Sequence, residues 1–141
     1  VSSTPNGDVL YSPVKRYEVV RLDWDGSVLA TYSAKPPGYV PFSVTPDQGG
    51  ISMSIYWSWI GRPLQLGDHV FVQRSHPVEG GESRIHGDLF TQNSNVLQLG
   101  IETPYTFFYA EDRALYGIDT APVEEGEPNP HIVVYRLSGG P

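Results

Sequence analysis

Ile51-Ser-Met-Ser-Ile-Tyr-Trp-Ser-Trp59 places Ile51, Met53, Ile55, Trp57 and Trp59 on one parity and Ser52, Ser54, Tyr56 and Ser58 on the other. Successive side chains of a strand leave opposite faces, so this nonapeptide reads as a strand with one apolar face and one hydroxyl-bearing face, lying in a sheet against a core. No stretch of comparable length carries apolar residues at helical spacing. The best attempt, Glu111 to Tyr116, allows one turn before Gly117.

Outward from that segment, short apolar runs alternate with turn residues. Tyr17 to Trp24 and Ser27 to Ser33 flank Asp25-Gly26, whose chemistry suits a two-residue hairpin turn. Residues 34 to 50 hold Pro36, Pro37, Gly38, Pro41, Pro46 and Gly49-Gly50, and allow only a short edge segment at Tyr39 to Val44. Further strands are predicted at Asp68 to Arg74, Ser83 to Phe90, Val96 to Ile101, Tyr105 to Ala110, Ala114 to Ile118 and His131 to Leu137. Eight or nine short strands spaced by Pro/Gly-rich connections predict an all-β fold, an antiparallel β-sandwich or jelly roll. No internal repeat points to a propeller or solenoid.

Alternation assigns Val20, Leu22, Trp24, Val28, Ile51, Met53, Ile55, Trp57, Val70, Val72, Leu97, Leu99, Phe107, Leu115, Ile132 and Val134 to the core. On that assignment Trp57→Ala costs about 3 to 5 kcal/mol by leaving a cavity.

The 141 residues suit one domain, divided as a linker-like lead-in at 1–12, a β-sandwich at 13–138 and a tail at 139–141. The only methionine is Met53 and the chain opens at Val1, so the expectation is a domain cut from a longer polypeptide, with Ser2 to Gly7 resembling an interdomain linker. There is no cysteine, hence neither disulfides nor thiolate metal sites, and no Asn-x-Ser/Thr sequon. Nine basic against sixteen acidic residues, net -7, argue against nucleic acid and anionic membrane as partners. No apolar run approaches the roughly 20 residues of a membrane-spanning helix.

Motifs for catalysis or metal are missing from the pattern. Asp23 and Asp25 before Gly26 share the start of a calcium loop but lack its further acids, and a solvated hairpin tip explains them. Glu124, Glu125 and Glu127 form a second acidic stretch, read as a solvated loop. His69, His76, His86 and His131 are dispersed, the closest grouping with an acid being His86-Gly87-Asp88, and no zinc spacing occurs. No Gly-x-Ser-x-Gly elbow supports a hydrolytic serine. Gly67-Asp68-His69-Val70 is a turn-to-strand entry, similar to that of intein-like and signal-peptidase-like β-domains, without their catalytic residues. The expectation is a protein without enzymatic activity, cofactor or metal.

Nine Tyr, five Phe and three Trp exceed what the strands need for a core. Tyr39, Phe42, Tyr56, Trp59, Tyr105 and Tyr109 are the candidate interface residues, Trp59 foremost as an anchor, with Tyr116 a further loop-proximal ring.

With the linker-like Ser2 to Gly7, the turn-rich strand series and the Ile51 to Trp59 strand, the chain resembles, as a type, the protruding domain of a small non-enveloped RNA-virus capsid protein. The nodavirus and tombusvirus-like groups, with the bee-infecting Sinai viruses, are the family in view. The resemblance implies a spike on the virion surface that pairs or clusters with itself as a dimer or trimer and contacts a host receptor or glycan. It implies too that a separate basic shell segment handles the RNA. The alternative is a carbohydrate-binding module or lectin domain of a secreted or phage-tail protein, acting extracellularly.

Overall fold

The computed structural model describes residues 1–13, 16–53, 57–77, 83–119, 124–126 and 131–138. It is all-β, with every strand pair antiparallel and no helix among the described residues. A first sheet has the order β1 (Ser2–Ser3), β2 (Val9–Tyr11), β3 (Glu18–Leu22), β4 (Val28–Ser33). β5 (Val44–Asp47) and β6 (Gly50–Met53) make a separate ribbon. The central sheet has the order β11 (Val96–Glu102), β10 (Ser83–Thr91), β9 (His69–Pro77), with β7 (Trp59–Ile60) and β8 (Leu64–Leu66) both paired to β9. Finally β12 (Thr106–Glu111), β13 (Ala114–Asp119) and β14 (His131–Arg136) form a third sheet. The order is that of successive meanders, consistent with a sandwich; a jelly-roll winding is not what the described strands show.

The central hairpin β9–β10 is buried on both faces. Val70 and Val72, with Phe90, pack against Leu10, Tyr17, Val19 and Tyr32 of the first sheet. Phe71 and Leu89, of the opposite parity, pack with Leu64, Leu66, Phe107 and Leu115 on the side of the third sheet. The stretch Val70 to Arg74 is therefore buried without interruption, where a one-sided sheet would show alternation. Gly87 is required here: a Cβ on it would lie 2.3 Å from the Phe71 ring, which occupies that space.

Polar groups inside the hairpin fasten the outer sheets to it. On one face Arg74 Nε donates to Asp88 Oδ2 at 2.8 Å, and the Tyr17 hydroxyl donates to the same oxygen at 2.6 Å. Both charged side chains are buried. The register between β10 and β11 shifts at Asp88, Gly100 adopts φ +72°, and its N–H donates to Asp88 Oδ1 at 2.8 Å. Burial first, and the Asp88 carboxylate second, push the Tyr17 phenol above its usual range, so it stays a donor. On the other face Gln73 Nε2 donates to Thr103 Oγ1 and the Tyr105 carbonyl, while its Oε1 accepts the Phe107 N–H at 2.9 Å. In the first sheet buried Arg21 donates to the Tyr32 hydroxyl at 3.1 Å and to the side-chain Oε1 of Gln65, and pairs with Asp8 at 3.3 Å.

Several expectations are corrected. Residues 1–12 are not a free lead-in: Ser2 and Ser3 pair with Leu10 and Val9, and Leu10 is fully buried. The Ser/Thr/Pro/Asn/Gly composition serves a turn instead, closed by Thr4 N–H to Asp8 O at 2.9 Å and Gly7 N–H to Thr4 O at 3.0 Å. The Ile51 to Trp59 segment is not one strand: its ends, β6 and β7, lie in different sheets, and Ser54, Ile55 and Tyr56 fall outside the described residues. Its parity inverts at Ser58, which is buried because its N–H donates to Val40 O at 2.6 Å and its Oγ accepts the Val40 N–H at 2.7 Å. The hairpin turn after β3 has three residues, Trp24 to Gly26, with Asp23 N–H bonded to Ser27 O and Gly26 at φ +87°. Trp24 is thereby lifted onto the tip, 86% exposed.

Of the alternation-based core, Val70, Val72, Phe107 and Leu115 are buried and Val20, Leu22 and Leu99 half-buried; Trp24, Val28, Ile51, Trp57, Leu97, Ile132 and Val134 are exposed. In β3 and β14 both parities carry apolar residues, so alternation could not tell inside from outside. The structure predicts that Phe90→Ala destabilises by about 3–5 kcal/mol. Trp57→Ala, which loses mainly an edge contact with Phe42 at 5.1 Å, costs about 1 kcal/mol. Urea unfolding of the two variants measures the contrast, and equal losses would contradict this core.

Candidate interaction surface

Directly opposed residues of an antiparallel pair share a face, so the register of β12–β14 defines its outer side row by row. Glu111, Ala114 and Arg136 make one row, Tyr109, Tyr116 and Val134 the next, and Thr106, Ile118 and Ile132 the third. The opposite parity, with Phe107, Leu115 and Gly117, faces the central sheet. A register shift between Phe107 and Tyr109 lets Phe107 point inward while Phe108 and Tyr109 are exposed. Gly117 permits this, since a Cβ there would stand 3.0 Å from both the Phe107 ring and the Thr106 carbonyl.

Ala114 in the end row is buried, but beyond it the outer face is apolar and open. Tyr109 is 50%, Ile132 64% and Val134 47% exposed, with Ile118 exposed beside them, and the Tyr109 and Tyr116 rings lie 5.6 Å apart. Contiguous apolar residues of this kind on a folded chain mark an interaction surface. Among the described residues its only charged positions, Glu111 and Arg136, share the end row.

A second feature is the tryptophans, all three of which lie outside the core. Trp59 on edge strand β7 is 57% exposed, and Trp57 meets Phe42 edge to face. Aromatic rings presented this way suit stacking on a sugar or burial in a protein interface.

The six sequence candidates thus separate. Trp59 and Tyr109 are exposed, and Phe42 is half-buried beside Trp57. Tyr39 covers the core instead, its ring 5.4 Å from Tyr17 and its phenol pushed up by burial. Tyr105 is half-buried and lies 5.8 Å from Tyr135, with Asp119 as the main cause of its raised phenol pKa. Tyr56 lies outside the described residues. Ile118, Ile132 and Val134 are surface residues; the last two, on β14, read as core in the sequence, and the only signal for them is that both parities of that strand are apolar.

Among the described residues no group of three or more His, Asp or Glu could hold a metal ion. Asp25 Oδ1 accepts the Ser27 N–H at 2.8 Å, and these Ser27 hydrogen bonds hold its carboxyl below the usual range. Glu124 and Glu125 are exposed, and Glu127 lies outside the described residues. Gly67-Asp68 turns β8 into β9, with Gly67 at φ +59°. An apolar cavity of about 230 Å³ between the central and third sheets, lined by Phe71, Leu89, Phe107 and Leu115 among others, could take a small apolar group.

Two histidines meet that sequence spacing had left apart. His76 and His86 stack at 4.8 Å, and both Nδ1 atoms are buried without a hydrogen-bond partner. His76 opposes Arg84, and His86 stands between Arg74 and Glu102, all on one face. Burial first, then His86, Arg74 and Arg84, hold the His76 imidazole below its ordinary value. His131 instead pairs with Asp119 at 3.4 Å.

In comparisons with known proteins, no family model, curated protein or solved structure matches the chain.

Because the fold holds His76 below its ordinary value while the unfolded chain does not, the unfolded state binds more protons as pH falls through about 6.5. Stability is therefore expected to fall as pH drops from about 7 to about 5.5, and His76→Gln to flatten that slope. Thermal midpoints across this range provide the check; an undiminished slope in the variant would contradict it.

Proposed function

We propose that this chain is a non-enzymatic, surface-exposed module that associates with itself and contacts a host receptor or glycan. The spike domain of a small non-enveloped virus capsid is the setting that fits it. The reading is carried by one observation, the open apolar face of Tyr109, Tyr116, Ile118, Ile132 and Val134 on the β12–β14 sheet. A monomer leaves that face in water at a cost of about 25 cal/mol per Å² of apolar surface, which association recovers in part. The net charge of -7 agrees with a division of labour in which another segment of the parent protein meets the nucleic acid.

A second reading, a carbohydrate-binding module, is favoured by the exposed Trp59 and the Phe42–Trp57 pair, which are the flat apolar rings that sugar faces stack on.

Sedimentation velocity over a concentration series, with cell-binding and glycan-array assays on the same protein, tests both. The spike reading predicts concentration-dependent association that Val134→Lys abolishes, and cell binding. A particle monomeric at every concentration with no cell or glycan binding would overturn it. Strong binding of a simple sugar by the monomer, lost in Trp59→Ala or Trp57→Ala, would establish the lectin reading instead.

A further inference from the structure

We propose that the outer face of the β12–β14 sheet is closed by the same face of a second copy, about a two-fold axis parallel to the strands and above β13. In this arrangement Glu111 of each subunit meets Arg136 of the partner subunit. The inference rests on the self-association reading and adds the partner's identity and orientation.

The argument is geometric. Neighbouring strands lie about 4.8 Å apart, so Glu111 on β12 and Arg136 on β14 flank Ala114 at about 10 Å from each other. Both are exposed. A two-fold axis parallel to the strands keeps each row at its own height and exchanges β12 with β14. The acid of one copy then lies over the base of the other, twice, by the same operation. Tyr109 lies over Val134 of the partner subunit, Thr106 over Ile132 of the partner subunit, and Tyr116 and Ile118 over their own counterparts.

Other arrangements fit less well. An axis in the sheet plane but across the strands inverts the rows, setting Arg136 and Glu111 over the end that carries Ile132, Ile118 and Thr106. That would desolvate two charges against carbon. The strand-parallel axis leaves an apolar centre, an ion-paired rim at one end and the roughly 10 Å spacing of stacked sheets. Such a contact is self-complementary and closed, as a two-fold interface must be. The charge arrangement favours a second copy over an unrelated partner. In a chain of net charge -7 the described residues of this face carry one acid and one base, at positions the two-fold operation superimposes.

The test is sedimentation equilibrium of the unaltered chain, Glu111→Arg, Arg136→Glu and the double variant, with urea midpoints confirming that each is folded. Each single reversal sets two like-charge pairs face to face and is expected to raise the dimer dissociation constant by about tenfold or more. The double variant rebuilds both pairs in swapped order and should return the constant to within about threefold of the parent's. Single reversals that weaken the dimer without rescue in the double variant, or that leave it unchanged, overturn this orientation while self-association stands. A chain monomeric at every concentration overturns both.

Discussion

The buried pair of Arg74 and Asp88 on adjacent strands is the interaction on which the rest of the molecule depends. Taking both charges out of water is costly, and it is offset only because the remaining valences are filled. Asp88 accepts from Arg74, from the Tyr17 hydroxyl and from the backbone N–H that the Gly100 bulge releases from the ladder. Moving β10 by one residue would turn Asp88 toward the apolar side with Phe71 and Leu89 and bring the Phe71 ring against a side chain in place of Gly87. The network and the glycine therefore fix one register, and with it the division of side chains between two cores.

From that division the exposed surfaces follow. A central hairpin that spends both faces on burial needs a sheet on each side, and each outer sheet then has one face packed and one in water. Gln73 anchors the start of β12 and Tyr17 anchors the start of β3, so the outer sheets are held to the hairpin by hydrogen bonds as well as carbon. Nothing comparable among the described residues covers the far side of β12–β14, where isoleucine, valine and tyrosine remain exposed. The proposed interface is in this sense a consequence of layering, an outer sheet with one face packed leaving its other face, apolar in β12–β14, to the solvent.

How much of this was readable in the chain depends on the local signal. The strands Ser83 to Phe90, Val96 to Ile101 and Ala114 to Ile118 were legible because turn residues bracket them. The antiparallel all-β class followed from their spacing. Burial was far less legible. Val20 and Val19 are chemically alike, and only the tertiary pairing of Val19 with Tyr32 and Leu10 decides which points inward. Ser58 looks like a solvent-facing residue until its two hydrogen bonds to Val40 are seen. Tyr109 and Trp59 were found because surplus aromatic rings are conspicuous, whereas Ile132 and Val134 look like core in any one-dimensional reading. The meeting of His76 with His86 comes from a cross-strand diagonal that sequence distance conceals.

Native-state hydrogen exchange tests the layered account most directly. If the β9–β10 hairpin is the shared centre of both cores, the amides of Val70 to Gln73 and Asp88 to Phe90 exchange slowest, and only through global unfolding. Those of β2 and β14 should open earlier by local fluctuation. Exchange in the hairpin as fast as in β2 or β14 would contradict the claim that everything else is built on it.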